Sequence, residues 1–182
     1  MDITLLFQAI PGNIAQGLIW GIMALGVFLT FKILDFADLT VDGSMATGGA
    51  VTVVMMINGY SAPVALLAAT LAGLIAGLVT GLIHTLLGIP DILAGILLQI
   101  ALYSINLNIM SGAANMALPV NQYTLLVSLR DINGTIIKVL IFVAVIIAAM
   151  YWYFGTEQGS AIRATGNNPA MSRAQGININ TM

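Results

Sequence analysis

The sequence of 182 residues contains no cysteine and very few charged side chains. Without cysteine, neither disulfide bonds nor thiolate metal sites can form. Charged residues make up 7% of the chain, five of them positive and seven negative, whereas soluble domains carry roughly 25%. This composition excludes an ordinary soluble enzyme. The lack of a basic surface also excludes a nucleic-acid-binding protein.

Apolar residues are abundant instead, at 59% of the chain with a mean hydropathy of +1.02. They form long uncharged runs, and a membrane-spanning helix needs about 20 predominantly apolar residues. We therefore predict an all-α, polytopic membrane protein in which residues 1–154 form a transmembrane bundle. Proline and glycine, as at Pro11-Gly12 and Gly88-Ile89-Pro90, separate the runs. The five predicted spans, of which the second is short, are residues 13–33, 43–57, 63–87, 91–110 and 135–154.

The positions of the basic residues predict the orientation, since cytoplasmic segments carry an excess of Lys and Arg. Asp2 precedes the first span and Lys32 ends it, so we expect the N-terminus outside the cell and Lys32 in the cytoplasm. Five spans then place residues 111–134 in an external loop. They place residues 155–182, which contain two arginines, in the cytoplasm, although two further basic residues fall on the outer side.

Small residues recur at four-residue spacing in two spans. Gly73, Gly77 and Gly81 form such a row in the third span, and Gly17 and Gly21 form a shorter one in the first. Rows of this kind let neighbouring helices approach closely in a membrane. We interpret them as packing features of a compact bundle.

An acidic segment lies between the first two spans. Asp35, Asp38 and Asp42 are spaced so that they would share one face of a helix. One interpretation is a cation or proton site. The alternative, which we favour, is a solvated cytoplasmic turn with Asp42 capping the start of the second span.

Two further segments are candidates for a translocation path. The second span is short and glycine-rich around Thr47 and Gly48, and such segments in transporters often mark discontinuous helices beside the substrate. Gln99, Tyr103 and Asn106 form a polar stripe on the fourth span. Both features have a structural alternative, because small and polar side chains also hold helices together.

The sequence offers little material for catalysis or metal binding. His84, the one histidine of the chain, has no histidine partner and no carboxylate close by in the sequence, so we interpret it as a hydrogen-bonded or interfacial residue. We predict no metal site, no cofactor and no enzymatic activity. The G-x-x-x-x-G-K-[ST] loop that binds nucleotide phosphates does not occur.

The polar C-terminal segment contains the start and stop residues of a miniature helix. Asn168 suits the N-cap position, Pro169 suits the first turn and Gly176 suits the left-handed residue after the end. Arg173 lies where the helix dipole favours a cation. Two turns are too short to be stable alone in water, so we expect other protein to support this helix.

The same residues carry a family resemblance that covers essentially the whole chain. The tail resembles the cytoplasmic loop of ABC importer permeases of the branched-chain amino acid and ribose permease superfamily, through Gly159, Arg163, Ala164, Gly166, Asn168, Pro169, Arg173, Gly176 and Ile177. Residues 17–26 resemble the first helix of that superfamily. Residues 33–44 are similar to the subgroup paired with an ATPase and an extracellular binding lipoprotein, some members of which are linked to tryptophan or tyrosine uptake.

The resemblance implies a permease subunit in a bacterial cell membrane. A binding lipoprotein would deliver an amino-acid-like solute, a second permease copy would complete the pathway, and a separate ABC ATPase would bind ATP. The tail helix would couple to that ATPase through Arg163, Asn168, Pro169, Met171, Arg173, Ala174 and Gly176. Such permeases are longer, so we expect this chain to correspond to their N-terminal part and not to transport solute alone.

Two other classes compete with this interpretation. A secondary transporter or channel would need an ion-coupling group inside a span, and the spans carry no charge away from their borders. A membrane-embedded enzyme would need a cluster of nucleophile, base or metal ligands. We therefore expect an importer subunit, with a secondary transporter or channel subunit as the alternative.

Overall fold

The apolar runs of the sequence form helices. The computed structural model describes residues 3–119, 123, 125, 127 and 132–177. Its helices are α1 (Ile3–Phe28), α2 (Val41–Ile57), α3 (Ala62–Leu87), α4 (Asp91–Ile109), α5 (Ile132–Phe154), α6 (Glu157–Asn167) and α7 (Pro169–Ala174), and a π-helical turn (Leu29–Ile33) continues α1. No β-strand occurs among these residues. The all-α fold is therefore confirmed.

In the described part of the chain, four helices are long and apolar enough to cross a membrane: residues 9–33 of α1 with its π-turn, α3, α4 and α5. Helix α2 is apolar but has 17 residues, which gives a length of about 26 Å at 1.5 Å per residue. That is short for a hydrocarbon core of about 30 Å. The count of five spans, the division at residue 154 and the orientation stay predictions, and Asp2 and part of the 111–134 loop lie outside the described residues.

The helix ends follow the turn residues of the sequence, with one exception. Helix α3 begins after Ser61 with Pro63 in its first turn, and it ends at Gly88, whose φ of 65° is left-handed. The predicted break at Pro11-Gly12 is wrong, because α1 runs through Pro11 from Ile3. Proline removes one backbone donor, and helices in membranes tolerate that loss where neighbouring groups satisfy the freed carbonyl.

The described chain divides into two compact units. In the unit of residues 36–125, α2 packs against both α3 and α4. Alanines of α3 face this core, as do Leu98 and Leu102 of α4. At the far end of α2, Met56 packs with Ala62 and Ala65. The small side chains allow the helices to lie close together.

The glycine row of α3 is not part of this packing. A Cβ placed on Gly73, Gly77 or Gly81 would meet no described atom within 4 Å. The neighbouring row is buried instead, through Ala65, Ala69, Ala76 and Thr80 among others. The predicted packing role of these glycines is therefore wrong as far as the described residues are concerned, because the helix presents its alanine row to the core of the unit.

The other unit contains α1 with its π-turn, α5, α6 and α7. Helix α1 packs along α5, and α6 contacts α5, α7 and the π-turn. Helices α6 and α7 are thus polar helices that follow the apolar pair of α1 and α5, at the end where α5 and the π-turn lie. The outer faces of the long helices are apolar in both units, as for Leu74 and Leu78 of α3 and Ile141 and Val145 of α5, all more than half exposed. Such large exposed apolar faces are typical of helices that contact lipid or further spans.

Candidate functional site

Helix α7 has the capping geometry that its sequence predicts. The side-chain Oδ1 of Asn168 accepts a hydrogen bond of 3.0 Å from the backbone N–H of Met171. Pro169 lies in the first turn, and Gly176 has a φ of 83° beyond the end of the helix. The predicted miniature helix is therefore confirmed, although its role as a coupling element stays a prediction.

The two faces of α7 have different surroundings. Ser172 is buried, with 2% of its surface exposed, whereas Met171 is 59% exposed. Arg173 and Ala174 are also exposed. The helix is therefore held to its own unit through one side, and it leaves an apolar methionine and a neighbouring alanine free to contact another protein.

Helix α6, which was not predicted from the polar tail of the sequence, supports α7. The Thr156 hydroxyl caps its start by accepting a 3.2 Å hydrogen bond from the N–H of Gly159. A side chain at Gly159 would overlap the backbone of Tyr153 and Phe154, and one at Gly166 would overlap the carbonyl of Ile33. These glycines, seven residues apart and so on one helix face, let α6 rest directly on the ends of α5 and α1.

The contact with α1 falls on its π-helical turn. The N–H of Leu34 donates to the carbonyl of Leu29 at 3.1 Å, which is the wider hydrogen-bond spacing of a π-helix. Such turns are rare and frequently occur at functional sites. Because Gly166 rests on Ile33, the structure connects the tail to the first long helix at this turn.

The two arginines of the tail have different environments. Arg163 is exposed on α6 and lines a groove with apolar residues of α1 and α5. Arg173 lies in the last turn of α7. The coupling residues predicted from the sequence therefore separate into Arg163 beside the long helices and the remaining set on or beside α7.

The acidic segment is a folded connection. Asp38 Oδ1 accepts hydrogen bonds from the backbone N–H of Thr40, at 2.8 Å, and from its hydroxyl, at 2.5 Å. Asp35 and Asp42 are exposed. The predicted Asp42 cap is wrong, because α2 begins at Val41 and Asp42 lies inside its first turn. No group of three or more metal-binding side chains occurs among the described residues.

Side chains of α3 and α4 fix this connection. The N–H of Ala37 donates to Asp91 Oδ2 at 2.9 Å, and the ring of Phe36 meets that of His84 edge to face, with centroids 5.1 Å apart. His84 Nδ1 lies 2.8 Å from the carbonyl oxygen of Ile89. The interpretation of His84 as a hydrogen-bonded residue is therefore confirmed, although Asp91 is a carboxylate that interacts with it electrostatically.

The candidate path residues do not gather on one surface of the unit. Thr47 is buried and donates to the Gly43 carbonyl at 2.8 Å, while Gly48 faces Ala69 of α3. Tyr103 is 65% exposed, and Asn106 is 6% exposed.

Gln99 and Asn106 are the stripe members nearest to the core of this unit. Gln99 is half-buried and lies against Gly43 of α2. Asn106 Oδ1 has no hydrogen-bond partner among the described residues. A buried acceptor without a hydrogen bond lowers the stability of the folded state. The packing of this unit therefore gives no reason for a polar side chain at Asn106. The path assignment stays a prediction.

Sequence reasoning missed two contacts that position the acidic segment. The hydroxyl of Thr80, in the buried row of α3, forms a hydrogen bond with the hydroxyl of Thr40. Gly95 allows close approach, since a Cβ there would lie 2.8 Å from the backbone nitrogen of Leu39. A lone glycine in an apolar helix is the signal that could have indicated such an approach.

Comparisons with known proteins agree with this architecture. Residues 10–182 match the family described as branched-chain amino acid transport system, permease component. The tyrosine transport system permease protein of Clostridioides difficile (strain R20291) is 40% identical over 170 residues, 92% of this chain and 55% of that relative. The chain thus spans about half the length of the curated relative that it matches. No solved structure matches it significantly. Because the family match covers nearly the whole sequence, this chain, a multi-pass membrane protein, belongs to the branched-chain amino acid transport permease family.

Proposed function

We propose that this chain forms part of the membrane-spanning permease of a bacterial ABC importer for an amino acid. The observation that carries the proposal is α7, a capped short helix that is anchored through Ser172 and exposes Met171. Family membership supports amino acid transport. A relative named for tyrosine transport makes an aromatic amino acid the first solute to test.

Helix α7 docks, in this proposal, on a separate ABC ATPase that binds and hydrolyses ATP. Met171 and Ala174 supply the apolar contact, because burial of apolar surface contributes more than exposed ion pairs, which are worth about 0–1 kcal/mol. Arg173 adds a weaker electrostatic contact. Movement of the ATPase then reaches α1 through α6, since Gly166 of α6 rests on Ile33 of the π-turn.

The rest of the system follows from the same proposal. An extracellular binding lipoprotein delivers the solute, and a second permease copy completes the pathway. The N-terminus lies outside and residues 155–182 lie in the cytoplasm of the bacterial cell. Thr47, Gly48, Gln99, Tyr103 and Asn106 are the proposed path residues, and Asn106 is the first to test because its Oδ1 is buried without a partner among the described residues.

The proposal is tested with the complete permease, its ATPase and its binding protein in proteoliposomes. Met171→Asp places a charge on the docking face, so co-purification of the ATPase and solute uptake per ATP hydrolysed should both fall strongly. Arg173→Ala should cause a smaller loss, and Met171→Leu, which keeps an apolar side chain, should behave as the unaltered protein. Wild-type values for Met171→Asp, or uptake without any ATPase, would refute the proposal.

Orientation is tested separately in this cysteine-free chain. Tyr60→Cys, between α2 and α3, should react with a membrane-impermeant thiol reagent in intact cells. Ala170→Cys, on α7, should react only after the membrane is permeabilised. Both positions are exposed, so the opposite labelling pattern would reverse the proposed orientation.

A further inference from the structure

A groove of about 670 Å³ runs along the end of the α1–α5 helix pair. Its walls come from α1 with its π-turn and from α5, and one charged residue of α6, Arg163, lies on its border. The apolar lining residues that matter here are Leu25, Phe28, Ile147, Met150 and Phe154. The groove is thus an apolar channel with a cation beside it.

The groove lies at the end of α5, where we expect the edge of the membrane. Tyr151, which lines it, and Trp152 lie at the end of the apolar helix α5 and are 85% and 73% exposed. Aromatic side chains with this exposure concentrate at the level of the lipid headgroups. Arg163 belongs to the polar helix that follows, so its guanidinium lies on the polar side of that level and the apolar walls lie on the other.

The charge of Arg163 is not balanced by a partner within the described part of the chain. Among the described residues, no hydrogen bond or ion pair involves its side chain. A guanidinium forms bidentate hydrogen bonds with a phosphate group. A phosphodiester that carries acyl chains therefore complements both parts of the site, the cation and the apolar walls, whereas a carboxylate on a soluble protein complements the cation alone.

We propose that this groove binds an anionic phospholipid, with an acyl chain along Leu25, Phe28 and Met150 and the headgroup phosphate at Arg163. Arg173 is not part of the site, since it lies on α7 and does not line the groove. The inference goes beyond the transport function and does not depend on the identity of the solute or of any protein partner. It assigns Arg163 to the membrane and leaves ATPase contact to α7.

Tryptophan fluorescence tests this site directly. The chain has two tryptophans, and Trp20→Phe leaves Trp152, which directly follows the groove-lining residue Tyr151. The protein is reconstituted in phosphatidylcholine vesicles that contain increasing mole fractions of acyl-brominated phosphatidylglycerol or acyl-brominated phosphatidylcholine. Bromine quenches the indole on contact, so the two titrations give the relative association constant of the anionic over the zwitterionic lipid.

We expect a preference of about fivefold for phosphatidylglycerol, because one basic residue near an anionic surface contributes about 1 kcal/mol. Arg163→Gln should abolish the preference, Arg163→Lys should keep part of it, and Arg173→Gln should leave it unchanged. Inorganic phosphate in excess should not reduce it. The proposal would be overturned if both lipids associated equally, or if the preference survived in Arg163→Gln. It would also be overturned if Arg163→Gln and Arg173→Gln lost the preference equally, or if inorganic phosphate displaced the lipid.

Discussion

The hydroxyl oxygens of Thr40 and Thr80 lie 2.9 Å apart, and both side chains are 1% exposed. Asp38 determines the direction of this bond. An ionised carboxylate only accepts hydrogen bonds, so the Thr40 hydroxyl donates to Asp38 Oδ1 and accepts from the Thr80 hydroxyl, whose one proton is shared between Thr40 and the Ala76 carbonyl at 3.2 Å. The residue before α2 is thereby connected to the C-terminal part of α3, and the acidic segment is held by two buried threonines and the half-buried Asp38.

Removal of the Thr80 hydroxyl should lower stability modestly. Thr80→Val keeps the shape of the side chain and leaves Thr40 bonded to Asp38, so we expect a loss of about 1 kcal/mol in the free energy of unfolding. Thr40→Val should cost more, because it also removes a donor to a charged acceptor. Unfolding of the detergent-solubilised protein by heat or denaturant measures both changes.

A threonine elsewhere on α3 is the matched control. The Thr70 hydroxyl bonds only within α3, to the Leu66 carbonyl at 2.9 Å, and it is exposed. Thr70→Val should therefore leave stability nearly unchanged. If Thr80→Val is as harmless as Thr70→Val, the buried hydroxyl pair does not stabilise the protein.

Gly95→Ala should be destabilising by about 1–3 kcal/mol, a typical cost of overpacking. The added Cβ would lie 2.8 Å from the backbone nitrogen of Leu39, and neither the α4 backbone nor the Asp38–Thr40 connection can move without the loss of hydrogen bonds. Gly77→Ala is the control on α3, where a Cβ meets no described atom within 4 Å. It should be neutral or stabilising, because Ala favours a helix over Gly by about 1 kcal/mol. Thermal unfolding that ranks the two variants in the opposite order would contradict the observed packing of α4.

The ends of short helical segments could be predicted from the sequence, because residues within the same segment determine them. The cap at Asn168, the start at Pro169 and the left-handed Gly176 all act within one short segment, and the structure has each of them. The ends of α3 follow in the same way from Ser61 and Gly88. The tertiary structure did not override these residues, because capping bonds join groups only a few positions apart.

Features that depend on distant partners could not be predicted in this way. The hydrogen bond between the Thr40 and Thr80 hydroxyls joins residues forty positions apart, and no local pattern in the sequence indicates it. The glycine row of α3 and its alanine row both consist of small residues, and the positions of α2 and α4 determine which row is buried. The π-turn at Leu29–Ile33 likewise has no proline or glycine to mark it.

Gly166→Ala should loosen the tail from the first helix. Any Cβ at this position would overlap the Ile33 carbonyl, so α6 must move away from the π-turn. Overpacking of about 1–3 kcal/mol destabilises the contact between α6 and the π-turn, and it raises the population of molecules in which α6 is detached. Limited trypsin digestion of the solubilised protein should therefore cleave after Arg163 on the order of tenfold faster. Gly21→Ala, on α1 with no described atom near a Cβ, should digest as the unaltered protein does. Equal cleavage rates for the two variants would indicate that α6 does not rest on α1 in solution.

The cap of α7 should control how well this helix binds a partner. Asn168→Ala removes the acceptor of the Met171 N–H bond, which costs about 1 kcal/mol of helix stability. A helix of six residues has little other local stability, so we expect a several-fold weaker affinity of the complete permease for its ATPase.

Asn168→Asp retains a capping oxygen and adds a charge that the helix N-terminus favours. It should therefore bind as tightly as the unaltered protein. Surface plasmon resonance with the immobilised permease measures both affinities. Equal weakening by Ala and Asp would mean that position 168 acts through a direct contact with the ATPase, and no weakening by Ala would mean that the ATPase does not recognise a folded α7.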